Sequence, residues 1–286
     1  AMLAECRLCA HDCGVNRLAG GQGLCQAGAR PRFFSAQVEV SDELELIPTF
    51  AIALSGCDLR CDFCITGADS WDAKTGGSFD ASEMAERAER ALDNGARTVM
   101  LLGGEPTIHL PAALALVAAL PDSARLVWKT NAYGSAQARE LLDGMFDVWL
   151  ADFKFGNDAC AQRLAKVFDY VRIVQENLLW FGSGEPSIAR QASGKAAFSR
   201  RAMLGAPARG ELIVRHLLMP GHVECCWRPV AEWLEENLPG VKVNLRSGFW
   251  PAWRAARHPE LRGTVSSAEA ERAAQIAQTR NINLIP

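Results

Sequence analysis

"FAIALSGCDLRCDFC" (residues 50–64) begins as a run of apolar residues and ends as a loop holding three cysteines. A short apolar run closed by Ser-Gly has the length and punctuation of a fully buried strand. The loop places Cys57, Cys61 and Cys64 in a Cys-x3-Cys-x2-Cys spacing. Thiolates are soft ligands that suit zinc or iron–sulfur clusters. A structural zinc takes four protein ligands. A cubane iron–sulfur cluster takes one cysteine per iron, so three cysteines leave one iron open.

Working outward, strand and helix patterns alternate. Residues 80–95 read as a helix, with Asp80 and Glu83 as a capping box, Met84, Ala88, Ala91 and Leu92 on one face, and Gly95 at its end. Strand 97–102 leads into Gly103-Gly104-Glu105-Pro106. Helix 111–120, strand 124–129 and a helix 135–144 opened by Ser135 follow. Segments 147–154 and 170–174 read as strands with a helix between them. Residues 175–209 read as helix with Gly-containing breaks, and "GSGEP" (182–186) as a loop because no clear strand precedes it. Strand 211–221, helix 224–237 and strand 241–245 complete the series.

Strands alternating with helices imply a parallel sheet with right-handed crossovers. Six or seven such units fall short of the eight of a closed barrel, so the expected fold is α/β, an open partial (β/α)6-type barrel. Functional groups then belong in the loops after the carboxyl ends of strands. The polar residues follow that rule. The cysteine loop follows the first strand and Gly103–Pro106 the second; Lys129 and Asn131 end the third, Asp152 and Lys154 the fourth, and Arg215 lies in the late strand. The expected organisation is a Cys-rich metal-binding segment 1–30, a connector 31–49, the barrel 50–245 and a C-terminal extension 246–286.

The first segment lacks periodicity and carries Cys6, Cys9, Cys13 and Cys25. Four cysteines in so short a stretch indicate a metal that ties down a loop with no core of its own. Zinc and an auxiliary [4Fe-4S] cluster both satisfy four thiolates. His11 is expected to be a bystander. Cys160, Cys225 and Cys226 fall on expected helices, where buried free thiols are the ordinary reading.

The chain has 286 residues, 49% hydrophobic and 22% charged, with a formal net charge of -3. This is ordinary globular composition. No run of like charge suggests a nucleic-acid stripe, and no apolar run is long enough to span a membrane. Clustered cysteines with no secretion leader ahead of Cys6 read as metal ligands kept reduced, which places the protein in the cytoplasm.

The Cys57–Cys64 spacing, with Gly103-Gly104-Glu105-Pro106 after the next strand, resembles the radical S-adenosylmethionine (SAM) superfamily. The resemblance implies that the three cysteines bind a [4Fe-4S] cluster and that SAM chelates the open iron. One electron from the cluster then cleaves SAM to methionine and a 5'-deoxyadenosyl radical, which abstracts hydrogen from substrate. It further implies that Gly103–Pro106 bind the methionine end of SAM. Phe63 would lie near the adenine, with ordinary packing beneath the loop as the other reading. "KTN" implies Asn131, and less so Lys129, near the ribose or carboxylate. "ADFK" resembles a stretch of the pyruvate formate-lyase activating enzyme-like branch, implying a monovalent cation near Asp152 and a SAM carboxylate near Lys154. "VRHLLMPG" resembles the same branch and makes Arg215 a carboxylate ligand. For Asp152, Lys154 and Arg215 a buried salt bridge at a strand end is the competing reading. His216 alternates to the other strand face and is expected to be packed. "ITGADSWD" extends the likeness through Asp69, Trp71 and Asp72. The implied activity is that of a radical SAM oxidoreductase acting on a polypeptide, either to install a glycyl radical or to modify a side chain. Its implied electron donor is a one-electron reductant of flavodoxin or ferredoxin type. A small-molecule substrate is the alternative, and a non-catalytic electron-transfer protein is the alternative of another class.

Overall fold

The computed structural model describes residues 2–41, 43–183 and 210–286. Its elements, in chain order, are β1 (Arg32–Glu39), β2 (Thr49–Leu54), α1 (Ala68–Trp71), β3 (Gly77–Ser78), α2 (Ala81–Asp93), β4 (Thr98–Gly103), α3 (Leu110–Ala119), β5 (Leu126–Thr130), α4 (Ala136–Leu142), β6 (Val148–Asp152), α5 (Asp158–Ala165) and α6 (Tyr170–Gly182). After them come β7 (Glu211–Leu217), α7 (Arg228–Asn237), β8 (Lys242–Arg246), α8 (Ser267–Thr279) and β9 (Asn283–Leu284). The strands form one sheet in the order β3-β1-β2-β4-β5-β6-β7-β8-β9. From β2 to β9 every pairing is parallel, and β1 runs antiparallel to β2 and β3. An open partial barrel of α/β type is the result.

Local chemistry sets the element starts. Asp80 accepts from the Glu83 amide at 2.9 Å, Ser135 from Ala138 at 3.1 Å and Asn157 from Cys160 at 2.8 Å. Each satisfies a donor that the first helical turn leaves open. β2 is buried at every position, as a central parallel strand must be.

The two faces of the sheet have separate cores. The helices cover one face with a large cluster that includes Ile52, Leu101, Trp128 and Trp149. The concave face carries a small one, in which Leu46, Met100, Val127, Val148, Leu150 and Ile213 are all fully buried. Side chains alternate along a strand, so the next inward position above this floor is Lys129 on β5, Asp152 on β6 and Arg215 on β7. The floor is apolar and the rung above it is charged.

Three expectations change. Residues 170–174 are the first turns of α6, not a strand. Tyr170, Val174, Asn177, Leu178 and Phe181 are its buried residues, and that spacing is helical rather than alternating. Residues 184–209 of the expected broken helix, and with them most of "GSGEP", lie outside the described residues. The connector 31–49 holds β1, whose half-buried positions pair with β2 from Phe33 to Glu39. The extension 246–286 supplies α8 and β9, so it adds a further parallel strand to the same sheet.

Candidate active site

A cavity of about 630 Å³ opens at the carboxyl ends of the strands. Cys57, Cys61, Phe63 and Cys64 reach it from the loop after β2, and Gly103, Gly104 and Glu105 from the end of β4. Lys129 and Asn131 enter from β5, Asp152 and Lys154 from β6, and Arg215 from β7. Groups spread over about 160 positions of sequence therefore share one mouth. Pro106 is buried in the turn behind the wall, and Cys6, Cys9, Cys13 and Cys25 do not line the cavity.

The two glycines are required by what they face. Gly103 has φ +135, and a Cβ there would lie 2.2 Å from the Leu54 carbonyl oxygen. A Cβ on Gly104 would lie 1.8 Å from the Gly56 oxygen and 3.1 Å from Cys57 Cβ. Two glycines after a strand let the backbone approach another group closely, and the group approached here is the cysteine loop itself. The Gly104 amide donates to Leu54 O at 2.8 Å and the Glu105 amide to Gly56 O at 3.0 Å. The end of β4 thus clamps the start of the loop that holds the thiols.

Glu105 braces the same corner and is fully buried. One carboxylate oxygen accepts from the Thr107 amide at 3.0 Å and the Thr130 hydroxyl at 2.8 Å, the other from the Asn131 amide at 2.8 Å. Asn131 in turn donates through Nδ2 to Asp58 Oδ1 at 2.6 Å. Burial first, and then the neighbouring Asp58 charge, raise the Glu105 carboxyl to about 7. Burial likewise raises Asp58 to about 6, opposed by the Asn131 hydrogen bond. Asn131 and Glu105 therefore fix the loop ends, and the same two side chains line the cavity.

Asp152, Arg215 and Asn244 are register partners across β6, β7 and β8. The Lys154 ammonium bonds the Asp152 carboxylate. Burial alone would raise Asp152; the Lys154, Arg215 and Lys129 charges outweigh it and hold the carboxyl below its usual range. Arg215 Nε lies 2.8 Å from Oε1 of the fully buried Glu43. Both the cavity-lining role and the salt bridge considered for Arg215 are thus present in one side chain. His216 points to the opposite face, where Nδ1 bonds Phe153 O at 2.6 Å, the packed role expected for it.

The three cysteines fit a metal centre. Cys57 and Cys61 are buried, and burial pushes the Cys57 thiol up and the Cys61 thiol up to about 12, with Lys154 acting against the latter. Such groups become thiolates only when a cation takes the place of the proton. Three thiols with no fourth cysteine on the same cavity match a cubane with one open iron.

Residues 52–181 match the family model of the Radical SAM superfamily. The chain carries a radical SAM domain. An uncharacterized protein of Methanocaldococcus jannaschii is 29% identical over 292 residues, covering 98% of this chain and 76% of that protein. SuiB of Streptococcus suis, solved bound to precursor peptide SuiA, superposes with a TM-score of 0.52 at 14% identity, covering 80% of this chain and 46% of that one. SuiB solved bound to S-adenosylmethionine gives a TM-score of 0.51 at 16% identity, covering 80% of this chain and 47% of that one. The chain spans about half the length of these structures, and the likeness is one of fold.

In the radical SAM domain, Phe63 lines the cavity and packs against Phe155 and Phe249, with ring centroids 6.0 and 6.3 Å away. Trp71, from the "ITGADSWD" stretch, also lines the cavity, with the Arg254 guanidinium 4.3 Å above its ring. Asp69 and Asp72 do not line it.

The N-terminal segment docks behind the cysteine loop of the domain. His11 Nε2 bonds Asp58 O at 2.7 Å, Arg60 bonds Leu24 O, and Arg17 bonds Ile108 O at 2.6 Å. Cys6, Cys9 and Cys25 are buried while Cys13 is exposed. Burial raises the Cys9 and Cys25 thiols, and the Asp58 charge adds to both, as do Cys25 and Cys13 for Cys9 and Cys6 for Cys25.

Sequence reasoning missed Asp58, Glu43, Asn244 and Arg246. Asp58 is a member of the cysteine loop, and its position between two thiols was the available signal. Glu43 lies in the connector between β1 and β2, where no motif marks it. Cys225 is exposed rather than buried, and Cys160, His222 and Cys225 come together in space.

Proposed function

We propose that the chain is a radical SAM enzyme in which Cys57, Cys61 and Cys64 hold a [4Fe-4S] cluster, SAM completes it, and a polypeptide is the substrate. The observation that carries this reading is the convergence of three thiols, a glycine-clamped strand end and a charged rung on one cavity of about 630 Å³. When bound, cluster and SAM supply reductive cleavage to methionine and a 5'-deoxyadenosyl radical that abstracts hydrogen.

The chain's own part is to bind, orient and shield. Arg215 and Lys154 offer cationic donors for the SAM carboxylate, and an Arg fork matches that group geometrically. Asp152 offers a carboxylate for the SAM ammonium or for a monovalent cation. Lys129 and Asn131 border the ribose side, Gly103 and Gly104 leave wall space at the methionine end, and Glu105 and Pro106 hold that turn. Phe63 offers its ring to the adenine. Leu59, Phe63 and Phe249 supply an apolar wall that keeps water from the thiols. Cys6, Cys9, Cys13 and Cys25 hold a second metal, zinc or an auxiliary [4Fe-4S] cluster; metal counts on the pure protein distinguish the two.

A polypeptide substrate is favoured by the rim. Ile65 and Trp250 line the mouth yet are 79% and 68% exposed. Apolar groups held open at a cavity entrance suit contact with a chain larger than the cavity. Activation of a glycyl-radical enzyme and side-chain modification both fit this surface. The electron donor is a flavodoxin or ferredoxin type protein. Anaerobically reconstituted, reduced protein given SAM should release 5'-deoxyadenosine, and Cys57→Ala, Cys61→Ala or Cys64→Ala should abolish it. An intact cluster that yields none would overturn the enzyme reading in favour of electron transfer.

A further inference from the structure

Away from the cavity, α5 and the turn between β7 and α7 bring together Cys160, His222 and Cys225. One donor atom from each lies within 4.8 Å of the other two. Among the described residues this is the one group of three metal-binding side chains gathered so closely. The sulfurs of Cys160 and Cys225 are 4.0 Å apart. The Cys226 sulfur lies 3.9 Å from that of Cys225.

These spacings are those of a mononuclear site. A tetrahedral zinc with bonds of about 2.3 Å to sulfur holds its sulfurs roughly 3.8 Å apart. A disulfide would need them at about 2.05 Å.

The surroundings fix the donors. Asn157 accepts from the Cys160 amide at 2.8 Å, while its Nδ2 donates to Cys225 O at 2.6 Å and touches Cys160 Sγ at 3.4 Å. Val223–Trp227 form a π-helical turn, which changes the direction of Cys225 relative to α7. A Cβ on Gly156 would lie 2.3 Å from Cys226 O, so only glycine lets the two segments meet. His222 Nδ1 lies 2.8 Å from Pro220 O. A carbonyl only accepts, so Nδ1 carries the proton and the Nε2 lone pair is presented to the site. Cys160 and His222 are buried and Cys225 is exposed, which gives an ion an entry path.

We propose that Cys160, His222 and Cys225 bind a zinc-class cation through two thiolates and one neutral imidazole, with the fourth position open to water. Two thiolates and a neutral imidazole balance a divalent ion, so a partly buried site stays uncharged. Ion binding releases the thiol protons. Arg163 Nη2 donates to His222 Nε2 at 3.2 Å when no metal is present. Binding transfers that lone pair to the metal, and Arg163 keeps its Glu260 partner. The ion would tie the β7–α7 turn to α5, independently of the Cys57–Cys64 loop.

Cobalt(II) added to anaerobically reconstituted full-length protein tests this. One equivalent should give thiolate-to-cobalt charge-transfer absorption with a tetrahedral ligand-field band, and zinc should displace it. Cys160→Ser and His222→Gln should each weaken this binding at least tenfold with iron content and 5'-deoxyadenosine yield unchanged. On the unaltered protein, one equivalent of zinc should slow alkylation of Cys225 at least tenfold, read by peptide mass spectrometry. An unchanged cobalt spectrum in both variants, an unchanged alkylation rate, or a Cys160–Cys225 disulfide in anaerobically prepared protein would overturn the proposal.

Discussion

The Cβ that Gly104 lacks would lie 1.8 Å from the carbonyl oxygen of Gly56. Two loops from neighbouring strands meet there, one with the thiols and one at the cavity wall. No flexible side chain stands between them, so an added methyl must push backbone against backbone. Gly104→Ala should displace the cysteine loop at a cost of about 3 kcal/mol, the upper range for overpacking. Iron content and 5'-deoxyadenosine yield should fall at least tenfold while the far-ultraviolet circular dichroism stays native. Gly263→Ala, which meets nothing within 4 Å, should leave both unchanged.

Two buried histidines each contribute an acid-side loss of stability. His109 and His216 are each held down to about 4, by burial first, against the hydrogen bonds that their rings donate to Ser55 O and Phe153 O and that favour the charged form. In the unfolded chain both titrate near 6.5. Between those values the unfolded state binds more protons, so the contribution is complete above pH 6.5 and is lost as the pH falls toward 4. Each histidine should cost about 1.4 kcal/mol per pH unit across that window. Glu105 and Asp58, raised to about 7 and about 6 in the fold, take up protons over the same window and act in the opposite direction, so the reading is the difference between two proteins: from pH 6.5 to pH 4.5 the wild-type stability from urea melts should fall by about 1.4 kcal/mol per pH unit relative to that of His216→Gln. Carboxylates held low, such as Asp152 and Asp62, add their loss only below about pH 4.

Leu150 sits on the floor of the barrel with Met100, Val127, Val148 and Ile213, and all are fully buried. Leu150→Ala should leave a void that backbone strands on both sides cannot close. The expected cost is about 2–5 kcal/mol. In a chain of this size that is a Tm lower by about 5–15 °C, measurable by scanning calorimetry. A shift under about 1 °C would mean that the floor is not packed as described.

The alternation of strands and helices was legible because buried parallel strands and capped amphipathic helices leave different periods in the sequence. Tyr170–Val174 reads as a strand because three of its five residues are β-branched and the helical spacing of Val174, Leu178 and Phe181 becomes visible only beyond it. The connector 31–49 shows some strand-like alternation, and the mostly half-buried residues of β1 keep that period too weak to mark a full strand. At the site, residues in strand-end loops were found by position. The partner of the glycines was not, because a close approach is visible in the sequence but what is approached is not. Cys160 and Cys225 stand 65 positions apart, and only the packing of α5 against the β7–α7 turn joins them.

Arg215 and Glu43 separate a structural role from a binding role. The Glu43 carboxylate is fully buried and faces Arg215 Nε at 2.8 Å, while Arg215 also lines the cavity between its register partners Asp152 and Asn244. Arg215→Met removes a cation that faces a buried anion, and such a loss costs about 3–5 kcal/mol. Glu43→Gln combined with Arg215→Met removes the uncompensated charge as well, so most of that stability should return. SAM affinity should behave differently. If Arg215 holds the SAM carboxylate, the double variant should bind SAM about 10-fold to 100-fold more weakly than the wild-type protein, a loss of about 1.4–2.8 kcal/mol. Calorimetric titration of SAM beside a urea melt on the same three proteins reads both quantities. Full recovery of SAM binding together with stability would assign Arg215 to the Glu43 pair alone and leave Lys154 as the carboxylate's cationic partner.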